Sequence, residues 1–562
     1  MINLVDNIKQ DITKIVSRAA EIARDKGQLD IEQVPEVQVE VPRERNHGDF
    51  SVNTAMTLVR FVKKNPREIA AILIENMEYS DTFIEKVEMA GPGFINFYLK
   101  KDWLWQVVPV ILELEDRYGR VDFGKGRKVQ VEFVSANPTG PMHMGNARGA
   151  ALGDSLASVL EAAGYQVDRE FYINDAGNQI DKFGRSLEAR YLQLLGHEAE
   201  VPEGGYMGQD IIDHAKAIID RDGDKYLDMP SEERRKAFVK YALEKNIAKI
   251  KEDLAAFGVE FDVWFSEQSL YDSGEIQDTI DYLKNKGYTY EKEGALWFKA
   301  SAFGAEKDEV LIRNNGIPTY FAGDIAYHRN KFVVRGYDRV IDIWGADHHG
   351  HVARMKGSMQ ALGCDPDKLD IIIMQLVRLL RKGQVARMSK RRGQSITLAD
   401  LIDEVGKDAA RFFFNMRSAD SHLDFDLDLA VEQSNENPVF YVQYAHARIC
   451  SILRQVGQEG IKLRDFKTID YSRLTHQTEL ELMRKLIEYP EEITIAARTM
   501  EPSRITRYVL DLASLFHSFY NSCRVKLEDE ELMQARLALI ASVRIVIKNV
   551  LSLLKIEAPE RM

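Results

Sequence analysis

Two short stretches of this sequence hold residues whose types and spacing suit phosphate chemistry. The first, NPTGPMHMGN at 137–146, lies between the apolar run VQVEFVSA and the Ala-rich ARGAALGDSLASVLEAAG. Two prolines and two glycines there surround His143, and Asn146 follows three residues later. Glycine lets backbone approach a ligand closely, and the unpaired N–H groups of a helix's first turn attract phosphate. At such a helix entry His143 and Asn146 can both offer hydrogen bonds to a phosphate oxygen whose charge grows in a transition state. A turn holding a satisfied histidine is the plain alternative. The second stretch, ARMSKRRG at 386–393, sets basic residues around a serine ahead of a glycine. Lys390 as a point charge, Ser389 as a donor and Arg387 as a second cation suit a loop that closes over a polyphosphate. This stretch ends the run VRLLRKGQVARMSKRR, 377–392, which holds seven Arg or Lys and no acid; a solvated basic face is its plain alternative.

The elements that must position these residues follow from periodicity. From 129 to 400, VQVEFVSA, QVDREFYI, VLIR, RVIDIWGA and LDIIIMQLV alternate with helical patterns, as expected of a parallel sheet wrapped by helices. A strand, a Gly/Pro turn and a helix in that order place 137–146 at the carboxyl end of a strand, where open α/β sheets bind ligands. The interval 183–290 is mostly helical and polar and reads as an insertion between the halves of the sheet. Residues 1–115 read as a small α+β unit: a helix over 2–26, the alternating EVQVEV, helices over 50–76 and a strand GFINFYL. The charged, Gly-punctuated LEDRYGRVDFGKGRK, 114–128, reads as a linker. After about 405 the pattern is helical to the end. The expectation is a multidomain α/β protein: an N-terminal α+β domain over 1–115, a Rossmann-type catalytic domain over 116–400 with its insertion, and an all-α domain over 401–562.

Bulk properties narrow the classes of function. At about 150 residues per domain, 562 residues give roughly three or four domains. The apolar run IIIMQLV, 371–377, is far short of the roughly 20 residues a membrane helix needs, and MINLVDNIKQDITKIV has no continuous apolar core, so a cytoplasmic protein is expected. The three cysteines, Cys364, Cys450 and Cys523, form no CxxC pair and give no basis for a disulfide framework or a structural zinc. The net charge of -13 argues against indiscriminate nucleic-acid binding and leaves only local basic patches for such contacts. His348, His349 and His351 crowd into four residues; a metal site and contact with a ribose or adenylate are both open readings.

HMGN and RMSK, separated by about 240 residues across a sheet pattern, resemble the "HIGH" and "KMSK" signatures of class I aminoacyl-tRNA synthetases. Over essentially the whole chain the sequence resembles bacterial arginyl-tRNA synthetases, in HGDFSVNTAM, VSANPTGPMHMGNARGAALGD, FYINDAGNQI, FDVWFSEQSLY, TYFAGDIAYH, WGADHHGH, FHSFYNSCRV and the final APERM. The resemblance implies activation of L-arginine by ATP, with Mg2+ accompanying the nucleotide, to arginyl-adenylate and pyrophosphate. Transfer to the 3′-terminal ribose of tRNA(Arg) follows, by a monomer with no tightly bound cofactor. It implies catalytic roles for His143, Asn146, Arg387, Ser389 and Lys390. An ATP site is implied over Ala136, Asn137, Pro138, Thr139, Gly140, Pro141, Met142, His143, Met144, Gly145 and Asn146, with Met388. Asn137, Glu267, Tyr320 and Asp324 match the arginine pocket, and Asp347 or His348 corresponds to another pocket position.

A forked guanidinium suits paired carboxylates, and Tyr320 and Asp324, four apart, would share a helix face. Phe440, Tyr441, Tyr444 and Arg448 in NPVFYVQYAHAR offer stacking for unpaired bases, though core packing is the commoner use of such rings. Asn53 and KKNPR at 63–67 are candidate contacts in the N-terminal unit. The roles of Asn174, Asp175 and Gln179 stay open, turn chemistry being the plain reading. Asn146 departs from the commoner second histidine and Arg387 from the first lysine. Two rival functions remain, a catalytically silent tRNA-binding relative and a small-molecule nucleotidylyl transferase. The intact His143, Lys390 and Asp324 weigh against the first, and the helical domain weighs against the second.

Overall fold

The computed structural model describes residues 4–42, 44, 47–386 and 396–562. The N-terminal unit sets the helix Leu4–Asp25 against a four-stranded antiparallel sheet made of β1 (Val39–Glu40), β2 (Phe50–Val52), β3 (Ile84–Ala90) and β4 (Phe94–Leu99), in the order β1-β2-β4-β3. EVQVEV yields only the two residues of β1, and the expected helical span 50–76 opens with strand β2 before the helices Thr54–Leu58 and Pro66–Glu75. Phe50 and Val52 are buried against the sheet's core, which makes this short segment a strand.

The central sheet is parallel and five-stranded. It contains β5 (Lys128–Glu132), β6 (Gln166–Ile173) and β7 (Val263–Ser266), then β11 (Arg339–Gly345) and β12 (Leu369–Met374), in the order β12-β11-β5-β6-β7. Chain order reverses at β5, whose neighbours are β6 on one side and β11 on the other. That switch point opens a crevice at the strands' carboxyl ends. Two expectations differ from what is observed. VLIR lies in β10 (Glu309–Ile312), which pairs antiparallel with β9 (Ala295–Phe298), itself paired with β8 (Thr289–Lys292), outside the parallel sheet. The β8–β9 turn has positive φ at both Glu293 (53°) and Gly294 (74°), the twist a two-residue hairpin demands. VWFS, inside the interval 183–290 read as insertion, is the edge strand β7; the helices of that interval, Gly177–Leu194, Gln209–Asp222 and Ser231–Ala256, end before it. They pack on a core of their own around Phe183, Leu187, Tyr191, Ile211 and Phe238.

Beyond β12, β13 (Val377–Arg381) pairs with β14 (Gln384–Val385) and with β15 (Leu423–Asp426), so the tail expected to be wholly helical contains one strand. Phe425 is fully buried, which draws β15 into the core beside β13. Four long helices follow: Pro438–Gln458, Gln477–Thr499, Ser503–Ser522 and Glu530–Leu553. The end of the N-terminal unit and the linker are both fastened to this domain. Trp105 donates from Nε1 to Leu474 O (3.1 Å), Tyr118 from its hydroxyl to Leu486 O (2.8 Å), and Asn549 from Nδ2 to Glu115 O (2.9 Å). Among the described residues no helix is long and apolar enough to cross a membrane.

Candidate active site

β5 leaves the sheet through two residues in the left-handed region, Val134 (φ 68°) and Ser135 (φ 39°), a conformation costly for any side chain and most for a β-branched one. Ser135 Oγ offsets the strain by donating to Glu132 Oε1 (2.9 Å) and accepting from Tyr172 N (3.2 Å), which ties the exit of β5 to β6. Residues 136–142 then cross the crevice to the helix Met144–Ala162.

His143 is the N-cap of that helix. Its Nδ1 accepts from Gly145 N (3.1 Å), while Asn146 Oδ1 accepts from His143 N (3.2 Å). The two side chains are therefore partly spent on each other's backbone. With Nδ1 accepting, the neutral imidazole carries its proton on Nε2, and Asn146 keeps its amide N–H2; both remain donors. Burial of part of the ring pushes the His143 pKa below the usual imidazole value. The helix entry is also pinned to the chain that follows the basic stretch. Met144 N donates to Ile396 O (3.0 Å) and Leu398 N to Met142 O (3.0 Å). Arg387, Met388, Ser389 and Lys390 lie outside the described residues.

Across the crevice, carboxylates gather. Glu267, just past β7, is 2% exposed, and its Oε2 finds no hydrogen-bond partner. Its pKa is pushed up to about 7, by burial first and then by the charges of Asp324 and Asp175. Asp175 holds Glu267 in place by accepting from both flanking residues, Ser266 Oγ (2.6 Å) and Gln268 N (2.9 Å). Asp324, on the helix Tyr320–Arg329, receives His351 Nε2 at 3.0 Å on Oδ2. His351 Nδ1 in turn accepts from Arg354, which is paired with Glu309 (2.8 Å). Tyr172, whose hydroxyl burial and the Glu267 charge hold in the protonated form, completes the wall. Tyr320 is 41% exposed, and a Cβ on Gly177 (φ 79°) would stand 3.2 Å from its hydroxyl.

The site residues read from the sequence are thus distributed unevenly. Glu267 and Asp324 are close enough for their charges to interact, with Tyr320 on the same helix as Asp324. Asn137 is exposed in the loop after β5. Asp347 and His348 are both exposed and sit 3.8 Å apart, and it is His351 that reaches Asp324. His351 ends a 3-10 helix, Ala346–His351, immediately beyond β11, and the two turns from the strand's end to its third histidine are the signal that could have found it.

Beneath the pocket lies a buried ion network. Lys331 Nζ, with no exposure, meets Glu132 Oε2 (2.6 Å) and Asp342 Oδ1 (2.8 Å). His328 bridges Asp342 Oδ2 (2.8 Å) and the carbonyl of Asp324 (2.8 Å), so the network reaches the backbone of a pocket residue. Burial opposes ionisation of Asp342, but Lys331 and His328 override it and hold the carboxyl below its ordinary range.

In the helical domain, Phe440 and Tyr444 stack at 6.1 Å and 8°, and Tyr444 stacks on His517 at 6.1 Å and 24°. The Arg448 guanidinium covers Tyr444 (4.9 Å) and Tyr520 (4.4 Å). Tyr441 packs against His517 and the core. His517 and Tyr520 join this surface from FHSFYNSCRV, to which sequence reasoning gave no contact role. Asn53 precedes the helix Thr54–Leu58 without capping it through its side chain.

Three family profiles cover the chain: "Arginyl tRNA synthetase N terminal domain" over residues 4–99, "tRNA synthetases class I (R), catalytic domain" over 107–421 and "DALR anticodon binding domain" over 442–562. A protein of Caldanaerobacter subterraneus subsp. tengcongensis named arginine–tRNA ligase is 63% identical over 562 residues, covering all of both chains. One of Acetivibrio thermocellus with the same name is 63% identical over 564 residues, again covering all of both. Among solved structures, a putative arginyl-tRNA synthetase of Campylobacter jejuni matches 83% of this chain and all of its own at TM-score 0.75 and 35% identity. The fold also matches the Thermus thermophilus arginyl-tRNA synthetase at TM-score 0.74 and 22% identity, over 98% of this chain and all of that one. Whole-length identity, three successive domain profiles and a carboxylate-lined crevice beside a phosphate-suited helix entry agree: the chain belongs to the arginyl-tRNA synthetase family of class I aminoacyl-tRNA synthetases.

Proposed function

We propose that this chain activates L-arginine with ATP and transfers it to the 3′-terminal ribose of tRNA(Arg). The observation that carries the reading is Glu267, a buried carboxylate with a partnerless oxygen, close enough to Asp324 for each charge to oppose the other. Two such groups in one crevice are suited to a planar guanidinium with five donors. In this reading Glu267 and Asp324 take the guanidinium, Tyr320 lines the entrance, Asn137 holds the amino-acid backbone, and Asp347 and His348 stand at the rim.

ATP enters as its Mg2+ complex along Ala136–Asn146. A carboxylate oxygen of arginine attacks the α-phosphorus and pyrophosphate leaves; the ribose hydroxyl then attacks the arginyl carbonyl and AMP leaves. No covalent enzyme intermediate is required, so positioning and charge stabilisation supply the rate. His143 Nε2–H and the Asn146 amide donate to the α-phosphate, whereas Arg387, Met388, Ser389 and Lys390 serve the pyrophosphate end. Phe440, Tyr441, Tyr444 and Arg448 offer a stacking surface to anticodon bases, and Asn53 a contact to the tRNA body. The working form is a cytoplasmic monomer. The test is charging of total tRNA by the purified chain with each amino acid in turn: ATP-dependent charging with arginine alone supports the reading, and charging with another amino acid, or with none, overturns it.

A further inference from the structure

The helical insertion bonds to the loop after β5 at Pro138 and approaches it at Gly140. Asn246, on the helix Ser231–Ala256, donates from Nδ2 to the carbonyl of Pro138 at 2.8 Å. Asp210, at the start of the helix Gln209–Asp222, places Oδ2 3.8 Å from where a Cβ on Gly140 would stand. The Asn246 amide is itself held: its Oδ1 lies 2.8 Å from His214 Nε2. A carbonyl can only accept, so Nδ2 must face Pro138; Oδ1 then faces His214, and His214 Nε2 must carry a proton. One backbone carbonyl thereby fixes the orientation of the whole relay from His214 through Asn246 to Pro138.

The relay has a consequence on the far edge of the same peptide. The Pro138–Thr139 bond is trans, so the N–H of Thr139 points opposite to the Pro138 carbonyl, away from the insertion. Pro138 and Thr139 are buried, and the Thr139 N–H makes no hydrogen bond among the described residues. A buried backbone donor without a partner is rare, and here it sits in the loop assigned to ATP. The insertion, packed on its own core, gives the relay a rigid base.

We propose that Asn246 is a positioning residue for ATP: keyed by His214, it orients the Pro138–Thr139 peptide so that the Thr139 N–H donates to a phosphate oxygen. The inference rests on the assignment of residues 136–146 to ATP. It is tested in tRNA charging at saturating tRNA, with ATP varied at saturating arginine and arginine varied at saturating ATP. Asn246→Ala and the isosteric Asn246→Asp, which sets a carboxylate against the carbonyl, should each raise the KM for ATP about tenfold or more, with the KM for arginine changed by less than about twofold. His214→Leu removes the donor behind Oδ1, loosens Asn246 against Pro138 and should raise the ATP requirement, whereas His214→Gln, which can still donate to Oδ1, should restore it. An ATP requirement unchanged in both Asn246 variants, or ATP and arginine requirements that rise together, would overturn the proposal. His143→Ala separates the two assignments: if it slows charging while the Asn246 variants do not, only the relay fails; if neither affects the use of ATP, the loop assignment fails with it.

Discussion

Glu267 carries a buried carboxyl that no cation meets among the described residues, an arrangement that costs folding free energy until a ligand supplies the charge. Its pKa of about 7 gives arginine binding a definite pH dependence. Below that value the carboxyl is protonated and must lose its proton to pair with a guanidinium; above it, the carboxylate is ready. The dissociation constant for arginine should therefore rise about tenfold per pH unit below 7 and level off above it. Titration calorimetry in buffers of different ionisation enthalpy should show about one proton released at pH 6 and almost none at pH 8.5. Glu267→Gln should flatten the profile and weaken binding. Asp324→Asn, which keeps the shape but loses the charge, should raise the KM for arginine about 10- to 100-fold while leaving that for ATP near its original value. At this scale the sequence was only partly legible. Asp324 and Glu267 are ordinary acids until the fold brings them together over an interval of 57 residues, and only the family resemblance marks them. His351 was visible as one of three histidines, but which of them faces inward depends on the turn that follows β11.

Among the elements, the helix Tyr320–Arg329 and the turn after it hold the pocket to the sheet through the Lys331 network. Replacing Lys331 by Met leaves Glu132 and Asp342 buried without their cation, a change expected to destabilise by about 3–5 kcal/mol, read as a shift in the urea midpoint. Because the Asp342 pKa is lowered in the fold, its stabilisation is complete above the unfolded carboxyl's pKa near 4 and is lost as pH falls through the lowered value. Unfolding measured from about pH 5 downward should show this loss in the native chain and a smaller one in Lys331→Met. The parallel strands β11 and β12 were legible because their apolar runs are nearly continuous, and β5 and β6 because β-branched and aromatic residues recur in them ahead of helical patterns. β7 was hidden in a helical interval because its four residues are too short to show a period, and VLIR has the composition of a sheet strand whichever partner it takes.

At the scale of the whole molecule, the bonds that the N-terminal unit and the linker make to the helical domain join residues more than 360 positions apart, from Trp105 to Leu474 and from Tyr118 to Leu486. No local pattern encodes such pairs, so the three-part order was readable while the docking was not. The stacked surface of Phe440, Tyr444, His517, Arg448 and Tyr520 is built from two helices of that domain. Tyr444→Ala should raise the KM for tRNA about tenfold or more, as expected for the loss of one base-stacking ring, with the requirements for ATP and arginine unchanged. Lys390→Ala, beyond the described residues, should slow adenylate formation far more than it weakens tRNA binding. The central claim is that two carboxylates, the buried Glu267 and the half-buried Asp324, make this chain specific for a guanidinium. The ratio of kcat/KM for charging with arginine over citrulline, the same shape without the cation, measures it directly. A ratio of about 10^4 or more is expected of a site built to hydrogen-bond the missing group, whereas a ratio below about 10^2, the range reached by shape alone, would contradict the account.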